Sequence, residues 1–283
     1  MEQFGVPGIS FAIARNGRIV RLGAYGFANL EKQEDLSISH RFRIASVSKP
    51  ITAAAIFLLV ERGELELESL VFGDAGVLGI AGPGQIRIRH LLTHTAGGWR
   101  NDITDPMFKQ LNLDHAELIR WTLETRPPVN RPGTAYAYSN FGYCLLGRVI
   151  EKLGGRKYED FVRENVLAPC GAGGMAVGEG ELEVEYYTGG RSVLSEMNVA
   201  RMDAHGGWVG TPSEMVAFGV HLDGFPDPVD LLEEGSLAAM TAHSGVNEGY
   251  ACGWSVNKTG NYWHAGSLPG LSTLLVRTTE GYC

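Results

Sequence analysis

Phe42-Arg43-Ile44-Ala45-Ser46-Val47-Ser48-Lys49-Pro50-Ile51-Thr52-Ala53-Ala54-Ala55-Ile56-Phe57-Leu58-Leu59-Val60-Glu61-Arg62-Gly63 reads as one helix. It begins near Ser46 and stops at Gly63. Pro50 fits only the first turn, where no intrahelical donor is lost. The run from Ile51 to Val60 is apolar except for Thr52, so the helix is expected to be buried on most sides. Ser46 and Lys49 are three apart and share a face. The lysine can therefore reach the hydroxyl at the positive end of the helix dipole, a place that favours a developing alkoxide or oxyanion. A lysine beside an apolar helix can lose its proton readily and act as an acceptor. The plainer alternative makes Ser46 an N-cap and Lys49 a solvated charge. A second Ser-x-x-Lys, Ser255 to Lys258, falls on an expected strand and turn, where residues three apart face opposite ways.

Working outward, Gly8 to Ala14 and Ile19 to Ala28 are strand-like and flank Asn16-Gly17, a strong hairpin signal. Helical patterns follow at Ile88 to Thr95, Asp114 to Thr125, Phe141 to Leu153 and Tyr158 to Leu167. Thr211-Pro212-Ser213-Glu214 is a further helix start. Three strand-like runs, Gly253–Val256, Tyr262–Ala265 and Ser272–Arg277, close the chain. Strands at both ends around a helical middle predict an α+β fold with one antiparallel sheet. The expected organisation is a discontinuous sheet domain (1–62 and 205–283) and a mostly helical subdomain (63–204). The last strand stops six residues before the terminus and leaves little to cover the sheet, so a truncated chain is expected.

The 283 residues carry a formal charge of −8, with 44% hydrophobic and 20% charged residues. That composition is ordinary for a globular protein. The acidic balance argues against nucleic acid, whose phosphates need a surplus of Lys and Arg. No apolar run reaches the roughly 18 residues of a membrane span. Met1-Glu2-Gln3-Phe4 lacks the regions of a signal peptide, so the expected compartment is the cytoplasm, or an exported protein without its leader. The cysteines Cys144, Cys170, Cys252 and Cys283 are widely spaced and read as structural thiols. His90 and His94 stand at i and i+4 but lack the glutamate of H-E-x-x-H and a third ligand, so neither metal nor cofactor is expected.

Two further stretches carry chemistry. Tyr138-Ser139-Asn140 follows a rigid Pro/Gly loop and precedes a helix, which places side chains at a rim. Tyr138 can serve as a base if positive neighbours hold it as phenolate, and Asn140 can equally be a plain N-cap. His264-Ala265-Gly266-Ser267-Leu268-Pro269-Gly270 lies at the end of one strand and before the next. A glycine at a strand edge admits close approach of a ligand backbone, whereas the plainer reading is a turn with a packed histidine.

Together, Ser46-x-x-Lys49, Tyr138-x-Asn140 and His264-x-Gly266, in this order, resemble the serine β-lactamase and penicillin-binding protein family. The likeness is to its class C-like branch, with carboxylesterases, D-aminopeptidases and DD-peptidases. Val6-Pro7-Gly8-Ile9-Ser10, Leu91 to Gly97, Gly206 to Pro212 and Gly253-Trp254 extend the likeness over nearly the whole chain. The resemblance implies a β-lactamase/transpeptidase-like sheet of about five strands and an acyl-enzyme mechanism. Ser46 would be the nucleophile, and Lys49 and Tyr138 would share its proton as a coupled pair. Asn140 would hold the substrate amide or position Lys49, and the backbone N–H groups of Ser46 and Ser267 would form the oxyanion hole. His264 would replace the lysine of true β-lactamases. Lys258-Thr259-Gly260 also spells that third motif, but its context is a hairpin turn. A histidine supplies only part of a charge near neutral pH, which turns the expectation from β-lactamase towards esterase or D-amino-acid peptidase. The alternatives are a class C-like β-lactamase or DD-peptidase, and a non-catalytic binding module on the same fold. The expected partner is a small molecule or short peptide, and oligomeric state is not legible.

Overall fold

The computed structural model describes residue 3 and residues 5–283. Strands β1 (Gly8–Arg15) and β2 (Arg18–Asn29) pair antiparallel around Asn16-Gly17. Both turn residues have positive φ, 50° and 75°, as a primed two-residue turn requires. A side chain at position 17 would also strike the Asp227 carbonyl, 2.1 Å from an added Cβ. The short β3 (Glu34–Asp35) extends this sheet beyond β2.

Two small sheets surround the entry to the long helix. β4 (Phe42–Arg43), β5 (Ala176–Val177) and β8 (Trp208–Gly210) form one sheet in the order β4-β8-β5, and β6 (Tyr187–Thr188) pairs with β7 (Arg191–Ser192). The long helix, α1 (Ser48–Glu61), is preceded by a 3₁₀ turn at Ala45–Val47, so the regular helix starts two residues later than expected. Every residue from Ser48 to Leu59 is buried, which explains the unbroken apolar run.

The remaining helices are α2 (Ile88–Leu92), α3 (His115–Thr125), α4 (Asn140–Gly154), α5 (Tyr158–Val162, continued by a π turn at Arg163–Leu167), α6 (Asp203–Gly206), α7 (Pro212–Val220) and α8 (Glu234–Thr241). α4 and α6 pack on α1. Among the described residues no helix is long and apolar enough to cross a membrane.

β9 (Ser255–Val256), β10 (Tyr262–Leu268) and β11 (Leu271–Arg277) form the C-terminal sheet, in the order β11-β10-β9. β10 runs on through Gly266 and Ser267, and the hairpin turns at Pro269-Gly270, later than the sequence suggested. The strands of the two chain ends do not form one continuous ladder. They meet through Tyr282 and Cys283, which turn back from β11 and bond to β1. Ala14 N donates to Cys283 O at 2.7 Å and Cys283 N to Ala14 O at 3.1 Å. Helix α7 lies under this junction, with Val216 and Val220 against Ala14 and Cys283. Mixed helices around antiparallel strands make the fold α+β, as the pattern of elements predicted.

Candidate active site

Ser46 sits in the 3₁₀ turn just before α1. Its neighbour Ala45 has a φ of +49°, a strained value for a residue with a side chain. Thr273 of β11 holds the turn by donating to the Ile44 carbonyl at 2.9 Å. β10 presses on it from the same side: a Cβ at Gly266 would lie 2.4 Å from the Ile44 oxygen and 3.0 Å from the Ala45 methyl. Only glycine fits there. No side-chain cap bond closes α1, so Ser46 is not an N-cap; its hydroxyl is half-buried and faces Lys49.

Lys49 is 0% exposed, among the largest fully buried side chains. Its Nζ lies 2.8 Å from Asn140 Oδ1, 2.8 Å from the His205 carbonyl and 3.1 Å from Ser46 Oγ. The first two partners can only accept, so they take two N–H bonds. A neutral amine then has its lone pair left for the Ser46 proton. Burial draws the lysine pKa down to about 7, against a partial pull upward from Asp105. This buried, thrice-bonded lysine excludes the solvated-charge alternative.

Asn140 is the first residue of α4, and the cap is Ser139, whose Oγ accepts from Gly142 N at 3.0 Å. Asn140 is therefore free to bridge. Its Oδ1 takes Lys49, and its Nδ2 donates to Asp105 Oδ2 at 2.8 Å. Asp105 is buried on a loop. Desolvation pushes its carboxyl up to about 6, opposed by N–H bonds from Met107 and Asn140 and by Lys49. Asp105 also caps the 3₁₀ turn at Pro106–Phe108, and nothing in its spacing along the sequence linked it to Lys49.

Tyr138 lies with its ring 4.8 Å from Lys49 Nζ and its hydroxyl facing Ser46 and His264. Burial drives its pKa well above the usual phenol range, so the tyrosine is a neutral hydroxyl and not a phenolate. His264, on β10, is buried with Nε2 3.5 Å from Tyr138 Oη. Burial and the nearby lysine bring its pKa down to about 3. The partial charge expected near neutral pH is thus absent; the ring is neutral. The β10 register pairs Ser267, which is exposed, with Ser272.

Lys258 stands elsewhere, in the Asn257–Asn261 turn. Its side chain is 91% exposed and pairs with Glu248 at 3.6 Å. The two histidines of the 90–94 segment are engaged by the backbone: Arg87 N donates to His90 Nδ1 and Ser139 N to His94 Nδ1, each at 3.1 Å. Both rings accept from backbone N–H groups, and neither is arranged as a metal ligand. Among the aromatic side chains, Tyr143 and Trp208 are core residues, bonded to Leu92 O and Tyr158 Oη. Trp263 points to the opposite face of β10 from His264, and Tyr136 stays near the site, beside His94 and Tyr250. A cleft of about 820 Å³ lined by Asp223, Phe225, Tyr262 and Arg277 includes none of the residues gathered around Ser46.

This chain is similar to penicillin-binding protein 4* of Bacillus subtilis (strain 168), at 29% identity over 93% of this chain and 64% of that protein. It is similar to protein flp of Staphylococcus aureus (strain NCTC 8325 / PS 47), at 23% identity over 98% of this chain and 58% of that one. The chain thus spans about three fifths of the length of these relatives. Its fold matches that of D-amino acid amidase from Ochrobactrum anthropi SV3 with a TM-score of 0.84, at 23% identity, covering 99% of this chain and 86% of that one. It also matches the octameric penicillin-binding protein homologue from Pyrococcus abyssi, with a TM-score of 0.81, 23% identity, and coverage of 99% and 69%. The Beta-lactamase family model matches residues 1–282, and the chain belongs to that family.

Proposed function

We propose that the chain is a serine hydrolase that works through an acyl-enzyme on an ester or amide carbonyl, with substrates lacking a nearby carboxylate preferred. The observation that carries this reading is the bonding of Lys49. Two obligate acceptors occupy two of its N–H groups and aim the remaining valence at Ser46 Oγ, 3.1 Å away. The Ser46 proton passes to Lys49 Nζ as Oγ bonds to the carbonyl carbon. The oxyanion that forms is held by the backbone N–H groups of Ser46 and Ser267. Collapse breaks the bond to the leaving group, which takes a proton delivered from Lys49 through the Tyr138 hydroxyl. Water then attacks the ester under the same neutral amine and frees the acid.

The preference among substrates follows from charge. His264 is neutral and Lys258 is in a surface turn, so no fixed cation at the third motif awaits a substrate carboxylate. This favours simple esters and amino-acid amides over penicillins and peptide C-termini. The amidase similarity points to D-amino-acid amides as the first amide to try.

The test is intact-mass analysis and turnover with p-nitrophenyl butyrate, D-phenylalanine amide and a fluorescent penicillin, with Ser46→Ala as control. An acyl adduct or burst that vanishes in the variant, with the ester or amide turned over faster than the lactam, is the expected result. Faster turnover of the penicillin would reverse the substrate preference. No adduct and no turnover with any of the three would overturn the hydrolase reading and leave a binding module.

A further inference from the structure

Behind the third motif lies a chain of hydrogen bonds that the acyl-transfer scheme does not use. Its members are His94, from the loop after α2, Tyr250, from the loop before β9, and His264 on β10; all three are buried. Tyr250 Oη is 3.1 Å from His94 Nε2 and 3.1 Å from His264 Nε2.

The direction of every proton in this chain follows from its two ends. At one end, the Ser139 backbone N–H sits 3.1 Å from His94 Nδ1 and can only donate. Nδ1 is therefore bare, and the ring proton of a neutral His94 is on Nε2, where it points at Tyr250 Oη. At the other end, the Ala265 carbonyl sits 2.7 Å from His264 Nδ1 and can only accept. That nitrogen carries the His264 proton, and Nε2 is bare. Tyr250 links the two rings: its oxygen accepts from His94, and its hydroxyl donates to the bare His264 Nε2, 3.1 Å away. The neighbouring Tyr143 gives its own proton to the Leu92 carbonyl at 2.8 Å, so its oxygen is a second acceptor for Tyr250; His264 Nε2, at 3.1 Å, is the one in hydrogen-bond geometry. Two independent ends thus demand the same polarity.

We propose that Tyr250, held by His94, is a positioning residue that fixes His264 in its Nδ1–H form and occupies the Nε2 lone pair, leaving the Tyr138 hydroxyl free for Ser46. Tyr138 Oη is the second group near that lone pair, at 3.5 Å. One lone pair takes one good donor. With Tyr250 at 3.1 Å it is taken, and Tyr138 keeps its proton for the reacting centre. Without Tyr250, the phenol of Tyr138 is the remaining hydroxyl that the described residues bring to His264 Nε2, and its proton turns away from Ser46. The role in catalysis rests on the hydrolase reading above; the proton positions do not.

The experiment uses the whole chain labelled with ¹⁵N-histidine, read by long-range ¹H–¹⁵N correlation at pH 7, alongside Tyr250→Phe. Phenylalanine keeps the ring contacts with His94, Tyr136, Tyr138 and His264 and removes only the hydroxyl. The native protein is expected to show His264 as a neutral ring protonated on Nδ1. In the variant, the His264 Nε2 signal shifts, kcat for the preferred substrate falls about tenfold or more, and KM stays nearly constant. A native His264 protonated on Nε2, or on both nitrogens, overturns the proposal. So does a Tyr250→Phe protein with unchanged His264 signals and unchanged kcat. The spectra need no turnover, so failure of the hydrolase reading would be seen separately, in the Ser46 adduct.

Discussion

At the scale of single residues, the proposed mechanism turns on Lys49, because its charge state decides whether it can take the Ser46 proton. An ammonium has no lone pair to take the serine proton. With the lysine titrating at about 7, kcat/KM is expected to fall as pH drops through that value and to level above it. Asp105, titrating at about 6, is ionised at pH 7 and favours the ammonium. Asp105→Asn removes that attraction, so the acid limb should move to lower pH, by about one unit; a limb that stays or moves upward would show that the carboxylate does not act on Lys49. The same lysine also sets a stability slope. Folded it titrates at about 7 and unfolded near 10.5, so between those values the unfolded chain binds more protons. This group therefore makes the fold more stable as pH rises through that window. Urea melts at pH 7 and pH 9 should show the difference shrink in Lys49→Met.

At the scale of elements, the site depends on where two of them begin and how closely a third approaches. Ser139 caps α4 and so sets Asn140 in the first turn, turned toward Lys49. Ser139→Ala should cost about 1 kcal/mol of stability in a denaturant melt and lower kcat with it, because the bridge between Lys49 and Asp105 loosens. β10 approaches Ile44 and Ala45 so closely that Gly266→Ala must push the strand away from Ser46. The expected outcome is a loss of about 1–3 kcal/mol and a loss of acylation by p-nitrophenyl butyrate larger than that stability change explains. These elements were readable to different degrees. α1 and α4 announced themselves through Pro50, a long apolar run and a glycine stop. The extent of β10 did not, because Gly266 and Ser267 carry no strand propensity; pairing with β11 decided it.

For the molecule as a whole, the segment around 176–196 is tied to the entry of α1 by a buried ion pair. Arg43 Nε meets Glu183 Oε1 at 2.7 Å with both side chains 6% exposed, and Arg43 also donates to Leu194 O and stacks on Tyr186. Removing one partner strands the other charge in the interior. Glu183→Gln should therefore lower stability by about 3 kcal/mol in urea unfolding, whereas an effect below about 1 kcal/mol would mean that solvent reaches the pair. Among the described residues, Gly281, Tyr282 and Cys283 join the two chain ends through backbone pairing with Asn16, Arg15 and Ala14, over the shared support of α7. The sequence pointed to strands at both ends. Whether they pair directly was not written in their periodicity, which records the face a side chain takes and not the neighbour across the ladder.

The sequence by itself determined the α+β class, the hairpin at Asn16-Gly17, the buried helix behind Ser46 and the order of the three motifs. These follow from local rules: turn chemistry, apolar period and residues three apart on a helix. Tertiary structure alone decided that Lys49 is wholly buried, that Asp105 stands behind Asn140, that His264 is neutral, and that His94 and Tyr250 back it. Charge states and proton directions are set by which groups lie within hydrogen-bond distance of one another and by how much water is excluded. In this chain those groups come from segments as far apart as residues 46, 105, 140, 205 and 264, brought together only when the fold closes.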